Sequence, residues 1–152
     1  MPYLIVGDYK LTETSAIAKY IANKSSKKEL LGKSEEDQGT VEMILSLLDD
    51  LYNPTYALFF SPNYATEKNR LFDGKIKEKL DLLIKYIGEK DFILGYLTIA
   101  DFKLAEATFY FEKLFEEQYG KYEALNRIRK NVHNLPEVKK YYESENAVTE
   151  PF

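Results

Sequence analysis

The sequence has 152 residues and a net charge of −4, which suits one domain or one domain with a fragment of another. Apolar residues (45%) and charged residues (30%) occur in the proportions of a folded globular protein and argue against a disordered chain. The acidic balance excludes a basic surface that tracks nucleic-acid phosphates, and no apolar run is long enough to cross a bilayer. The absence of Cys excludes disulfides, thiolate metal sites and a Cys nucleophile.

The start of the sequence, MPYLIVGDYK, lacks the basic region, apolar stretch and cleavage site of a signal peptide. A chain without Cys also suits a reducing compartment. We therefore expect a cytoplasmic protein.

The N-terminal stretch predicts a β-hairpin followed by a helix. Residues 3–6 form a short apolar run, a Gly-Asp dipeptide supplies turn chemistry, and residues 10–11 can pair back as a second strand. Four apolar side chains then form a helical stripe: Ala16, Ile17, Tyr20 and Ile21. The polar run at residues 23–28 reads as a linker.

A long amphipathic helix is predicted after this linker. Ser34 is its expected N-cap, with an acidic residue three positions later. Five apolar residues follow at helical spacing: Val41, Ile44, Leu45, Leu48 and Leu51. Pro54 lies inside this stretch and predicts a kink or break near Asn53.

Further helices are indicated downstream. The apolar residues of the segment 76–87 have near-ideal helical spacing, and Gly88 is the expected C-cap. Thr98 and Asp101 have the spacing of a capping box at the start of the next helix. Two more helices follow, the last beginning at Pro136. The sequence thus predicts a hairpin and helix followed by a bundle of about five helices.

Four stretches, taken in order, carry a family resemblance. The first is MPYLIVGDYKLTETSAIAKYI and the second is LLGKSEEDQGTVEMILSLLDDL. The third is GEKDFILGYLTIADF, which contains a glycine loop and a Thr-x-x-Asp box, and the fourth is LNRIRKNVHNLPEVKKYY. Together they resemble the cytosolic glutathione transferases, most closely the sigma and mu classes and their prostaglandin D synthase-like members.

The resemblance implies a mainly α fold. Residues 28–152 would form the all-helical C-terminal domain, and residues 1–27 would be a β-hairpin plus helix remnant of a thioredoxin-like N-terminal domain. The family activates the glutathione thiol with a Tyr or Ser hydroxyl near the end of a first strand that has no counterpart here. We therefore expect an N-terminally truncated chain with no catalytic residue of its own and little activity by itself.

The resemblance places the co-substrate glutathione at five positions. Pro2 matches the family's cis-proline, so the backbone of Met1 would hold the cysteinyl part. Glu13, where sigma and mu enzymes usually have Gln, and Thr14 match the pair that binds the γ-glutamyl end at a helix N-terminus. Asp50 matches the aspartate that reaches the glutathione ammonium across a dimer interface. From the residues alone, a trans turn proline and an ordinary N-cap remain the alternatives.

The resemblance also bears on metal and electrophile sites. Sigma prostaglandin synthases place aspartates matching Asp49 and Asp50 around a divalent cation. Ser46 stands where they have a further acid, so we predict no metal here. For the electrophile we predict a pocket that includes Phe59 and Phe60, although core packing is the alternative for any single aromatic ring.

Thr98 and Asp101 match the family's folding box, which implies a structural role and no chemistry. Such a box satisfies the free N–H groups at a helix start. Loss of Asp101 is expected to cost about 1–2 kcal/mol of stability.

Two functions remain open. The first is a glutathione transferase that conjugates or isomerises small electrophiles, working as a homodimer through residues 43–50. The alternative is a non-catalytic structural or interaction module of a larger assembly, in which a protein partner covers the unpaired edge of the strand at residues 3–6. Neither function involves nucleic acid or a membrane span.

Overall fold

A computed structural model describes residues 2–147 as a β-hairpin, one helix and a helical bundle. The strands are β1 (Tyr3–Val6) and β2 (Tyr9–Thr12). The α-helices, in chain order, are α1 (Thr14–Lys24), α2 (Glu35–Phe59), α3 (Tyr64–Leu71), α4 (Lys77–Ile87), α5 (Ile99–Leu114), α6 (Glu116–Tyr119), α7 (Glu123–His133) and α8 (Pro136–Tyr142). The predicted order of hairpin, helix and bundle is confirmed. Within the described residues, no helix is long and apolar enough to span a membrane.

The hairpin is a two-stranded antiparallel sheet. Its register runs from Tyr3 opposite Thr12 to Val6 opposite Tyr9. Gly7 in the turn has a φ of 61°, a conformation that glycine adopts without steric cost. In the described part of the chain β1 pairs with β2 alone, so the other edge of β1 has no strand beside it.

Helix α2 runs through Pro54 without a break. The sequence predicted a kink or break near Asn53, and the break does not occur. Pro54 removes one N–H donor from the helix, but buried side chains on both sides hold the helix against the core: Leu51, Thr55 and Leu58. The Thr55 hydroxyl also donates to the Leu51 carbonyl at 2.7 Å.

Helix α3 was not foreseen from the sequence. The strongly polar α3 leads through a π-helical turn, Phe72–Ile76, into α4. A π turn adds one residue to the helical repeat. Phe72 and Ile76 at its two ends are both buried, so the turn keeps this segment packed on the core.

Helix α5 is the centre of the bundle. It packs against α2 on one side and α7 on the other. Its buried residues therefore lie around much of the helix and include Leu104, Ala107 and Phe111, each at most 1% exposed. Because α5 contacts both neighbours, its position fixes theirs.

The start of α5 is held by the fully buried carboxylate of Asp101. Oδ2 accepts hydrogen bonds from the Thr98 N–H at 2.7 Å and the Thr98 hydroxyl at 2.9 Å, and Oδ1 accepts one from the Ile93 N–H at 2.7 Å. Burial raises the pKa of Asp101, and the hydrogen bonds from Ile93 and Thr98 oppose the rise. The bond from Ile93 ties the preceding loop to α5, so Asp101 does more than cap a helix.

Replacing Asp101 with Ala should lower the free energy of unfolding by about 3 kcal/mol, because two buried N–H groups and a hydroxyl lose their acceptor. Asp101→Asn keeps the side-chain size but turns one acceptor into a donor, so it should cost nearly as much. The control is Ser34→Ala, which removes an exposed cap that accepts from the Asp37 N–H at 3.2 Å; we expect a cost of about 1 kcal/mol. Urea unfolding measures all three, and equal costs for Asp101→Ala and Ser34→Ala would contradict the anchoring role.

Candidate functional site

A cavity of about 930 Å³ lies between α1, α2 and α5. We call it the α1–α5 cavity. Its wall includes Thr14, Ser15, Asp49, Tyr52, Phe102 and Lys103. The volume lies in the range of small-molecule sites, which are mostly apolar with a few placed polar groups.

The N-terminus of α1 forms one end of the cavity, where Glu13 and Thr14 belong to the wall. The Glu13 carbonyl accepts the first helical hydrogen bond from the Ile17 N–H at 2.9 Å. The Thr14 side chain is exposed, and its hydroxyl makes no hydrogen bond with any described residue. The first-turn N–H groups of a helix have no intrahelical partners and favour an anion. This end of the cavity can therefore take a carboxylate.

Glu13 has a strained backbone, with φ 70° and ψ 121°. Among the described residues it is the one non-glycine with a positive φ. Such conformations cost about 1–3 kcal/mol and persist where the surrounding structure imposes them, often at ligand sites. The strain sits at one of the two positions that the family resemblance assigns to the γ-glutamyl end of glutathione.

Lys103 of α5 connects the three helices of the cavity. Its ammonium lies 2.5 Å from Asp49 Oδ1 on α2 and donates to Ser15 Oγ on α1 at 3.2 Å. The Lys103 side chain is 18% exposed. A largely buried charge with two partners is expensive to displace, so this contact holds α1 on the bundle and sets the width of the cavity.

An aromatic cluster on α2 and α5 lies behind the cavity. Tyr110 is its centre, with ring centroids 5.4 Å from those of Tyr52 and Tyr56 and 5.3 Å from that of Phe59. Phe60 packs on Tyr56 at 4.9 Å. Tyr52 belongs to the cavity wall, whereas Phe59 and Phe60 lie in the cluster and outside the residues that line the cavity. Their assignment to an electrophile pocket stays a prediction.

Tyr52 keeps its proton at any ordinary pH. Burial raises the pKa of its hydroxyl, and the neighbouring Tyr110 and the Glu106 carboxylate add to the rise. A tyrosine with a raised pKa can donate a hydrogen bond but is a poor source of a phenolate base. Tyr52 is therefore suited to contact a ligand and unsuited to take a proton from one.

The other residues of the predicted glutathione site lie apart from the cavity. Asp50 is exposed and pairs with Lys79 of α4 at 2.5 Å. Pro2 is exposed at the start of the hairpin. Met1 lies outside the described residues, and with it the Met1–Pro2 bond for which a cis conformation was predicted; the described residues contain no cis peptide bond. The roles of these residues stay predictions.

Several cavity residues were not assigned to a site from the sequence. On α5 they are Phe102, Lys103 and Glu106. Their spacing of three and four residues in the sequence predicts that Phe102 and Lys103 share one helical face with Glu106. Spacing could not predict that this face is directed toward α1, because its direction depends on how α1 packs against the bundle. Among residues 2–147, no group of three His, Cys, Asp or Glu residues is close enough to hold a metal ion.

Two family models match the chain. The model of the glutathione S-transferase C-terminal domain matches residues 49–145, and the model of the glutathione S-transferase N-terminal domain matches residues 1–23.

Curated relatives align with nearly all or with two thirds of the chain. A glutathione S-transferase of Dermatophagoides pteronyssinus is 27% identical over 150 residues, which cover 98% of this chain and 67% of the relative. The class-mu 26 kDa isozyme of Schistosoma mansoni is 26% identical over 152 residues, covering 99% and 68%. Glutathione S-transferase B of Cavia porcellus is 32% identical over 103 residues, covering 67% and 46%. The chain spans about half to two thirds of the length of these relatives.

Solved structures share the fold. The Pi-class glutathione S-transferase of Onchocerca volvulus superposes with a TM-score of 0.77 at 24% identity, covering 94% of this chain and 69% of that one. Rat hPGDS, solved in complex with a quinoline, superposes with a TM-score of 0.77 at 26% identity, covering 97% and 75%. The predicted fold class is confirmed. Because the C-terminal family model also matches more than half of the sequence, the chain belongs to the glutathione S-transferase family.

Proposed function

We propose that the protein acts as a glutathione transferase, joining glutathione to small electrophiles or using it to isomerise them, and that this chain supplies binding groups for both. The observation that carries this function is the α1–α5 cavity, which has the N-terminus of α1 at one end and an aromatic wall along its side. Glutathione is the co-substrate, and no metal takes part. A cytoplasmic location stays a prediction.

Glutathione binds at the α1 end of the cavity. The γ-glutamyl carboxylate accepts hydrogen bonds from the free N–H groups of the first turn and from the Thr14 hydroxyl. The Glu13 carboxylate accepts from the ammonium of the same group. Asp50 of a second copy completes this contact if the protein dimerises through residues 43–50 of α2, where Met43 is 57% exposed. We assign thiol activation to none of the described residues.

The Thr14→Val substitution removes one hydroxyl without changing the shape of the side chain. We expect glutathione to bind about fivefold to tenfold more weakly, because one hydrogen bond to a carboxylate is lost. The matched control is Thr12→Val, since Thr12 is also exposed but lies at the end of β2, outside the cavity. Isothermal titration with glutathione measures both affinities. Equal affinities for wild type and Thr14→Val, or no binding by wild type at millimolar glutathione, would contradict the proposed site.

The Glu13→Gly substitution should raise stability while it weakens glutathione binding. Glycine relieves the positive-φ strain of about 1–3 kcal/mol but costs about 0.5–1 kcal/mol in chain entropy, so the free energy of unfolding should rise by about 1 kcal/mol. The control Asp8→Gly changes an exposed acid without a positive φ and should destabilise slightly. Thermal unfolding and glutathione titration give the two readouts. A loss of both stability and binding would show that Glu13 has a structural role only.

A second candidate function is a structural module that adds a strand from a partner. It is favoured by the open edge of β1, where Tyr3 is 74% and Ile5 54% exposed. An apolar open edge is a template for strand addition.

The two functions differ in the native complex that they predict. A transferase should sediment as a homodimer with no other component, whereas a module should sediment with a partner at fixed stoichiometry. Hydrogen exchange of the intact native protein adds a local readout. In a two-residue hairpin with Val6 opposite Tyr9, the Tyr3 and Ile5 N–H groups point away from β2. Slow exchange at these amides only in the presence of a second component would favour the module. A native protein that is a pure homodimer would exclude the module, whatever the exchange rate of these amides.

A further inference from the structure

Two carboxylates of the α1–α5 cavity, Glu13 and Glu106, have no hydrogen-bond or ion-pair partner among the described residues. Glu106 of α5 belongs to the cavity wall and is exposed. It makes no hydrogen bond or ion pair with any described residue. It follows Lys103 by three positions and Phe102 by four, so the three side chains share one face of α5.

The cavity wall carries an excess of negative charge. Among the described residues that line it, the carboxylates are Glu13, Asp49 and Glu106, and the one ammonium is Lys103. Lys103 is committed to Asp49 at 2.5 Å and to Ser15 at 3.2 Å, and only 18% of its side chain is exposed. An anionic ligand that recruited Lys103 would leave Asp49 unpaired, which is costly in a partly buried site. Two carboxylates therefore remain uncompensated.

The aromatic wall lies next to the Glu106 carboxylate. Tyr52 of α2 and Phe102 of α5 line the cavity with Glu106. The charge of Glu106 reaches this wall, since it adds to the rise that burial causes in the pKa of Tyr52 and of Tyr110. An organic cation beside an aromatic face and a carboxylate is attracted both by the quadrupole of the ring and by the negative charge of the carboxylate.

We propose that Glu106 determines specificity for the electrophile, and that among flat aromatic ligands the α1–α5 cavity prefers those that carry a positive charge to those that carry a negative one. The ring lies along Tyr52 and Phe102, and the cationic group lies at Glu106. As an assignment of substrate class this rests on the proposed transferase function. The preference itself is a property of the cavity and can be measured without glutathione.

The test uses three fluorescent probes that share the dansyl ring: dansylcadaverine is cationic, dansylamide neutral and dansylglycine anionic. With the full chain at low ionic strength, we expect affinity to fall in that order, with dansylcadaverine about tenfold tighter than dansylglycine, because each unit of charge is worth a few-fold in a partly solvated site. Glu106→Gln should reduce this ratio about threefold. High salt should reduce it as well.

The matched control is Glu78→Gln, which removes one exposed carboxylate from α4, outside the cavity. It changes the net charge of the protein equally and should leave the ratio unchanged. Three outcomes would overturn the proposal: no binding of any probe, dansylglycine binding as tightly as dansylcadaverine, or equal effects of Glu106→Gln and Glu78→Gln. Failure of glutathione to bind while the probe order holds would overturn the proposed function and leave the charge preference standing.

Discussion

The buried carboxylate of Asp101 is the interaction on which the rest of the structure depends. A carboxylate removed from water is unfavourable unless hydrogen bonds replace its hydration. Here the Ile93 N–H and the Thr98 N–H and hydroxyl supply three. They fix where α5 begins and hold the preceding loop against it. Since α5 also carries Lys103 and Glu106, the same carboxylate determines where the charged side chains of the cavity lie.

A second polar contact joins the hairpin and α1 to the bundle. Of the side chains of α1, Ala22 alone is fully buried, so apolar packing gives this helix little hold. Lys103 makes up for this by binding Asp49 on α2 and Ser15 on α1. Polar contacts thus contribute to the join between the two parts, and the cavity lies at that join. A site built there depends on both parts being present, because neither α1 nor the bundle encloses it alone.

Much of the fold could be predicted because its signals are local. The stripe of α2 and the Thr98–Asp101 spacing each fall within one helix. Two features of the fold were not predicted, and each has a physical cause. Continuation of α2 through Pro54 depends on burial of Leu51 and Leu58, and the polar α3 has no apolar stripe to reveal it. For the site, the family resemblance marked Thr14, whereas Lys103 and Glu106 acquire their roles through the docking of α1, which sequence spacing does not encode.

The charged groups of the cavity lie together at one end of it. Helix α1 runs antiparallel to α2, because Lys19 pairs with Glu42 whereas Ser15 contacts Lys103, which pairs with Asp49. The first turn of α1 offers N–H groups and a partial positive charge to an anion. Lys103 is neutralised by Asp49, so it gives an anion no competing position. Next to Lys103, Glu106 and the ring of Tyr52 attract an aromatic cation. On our proposals, the γ-glutamyl carboxylate of glutathione lies at the first turn of α1, and the electrophile lies along Tyr52 and Phe102 with its positive charge at Glu106. The N–H groups of α1 then hold the anionic group of one ligand, and Glu106 holds the cationic group of the other.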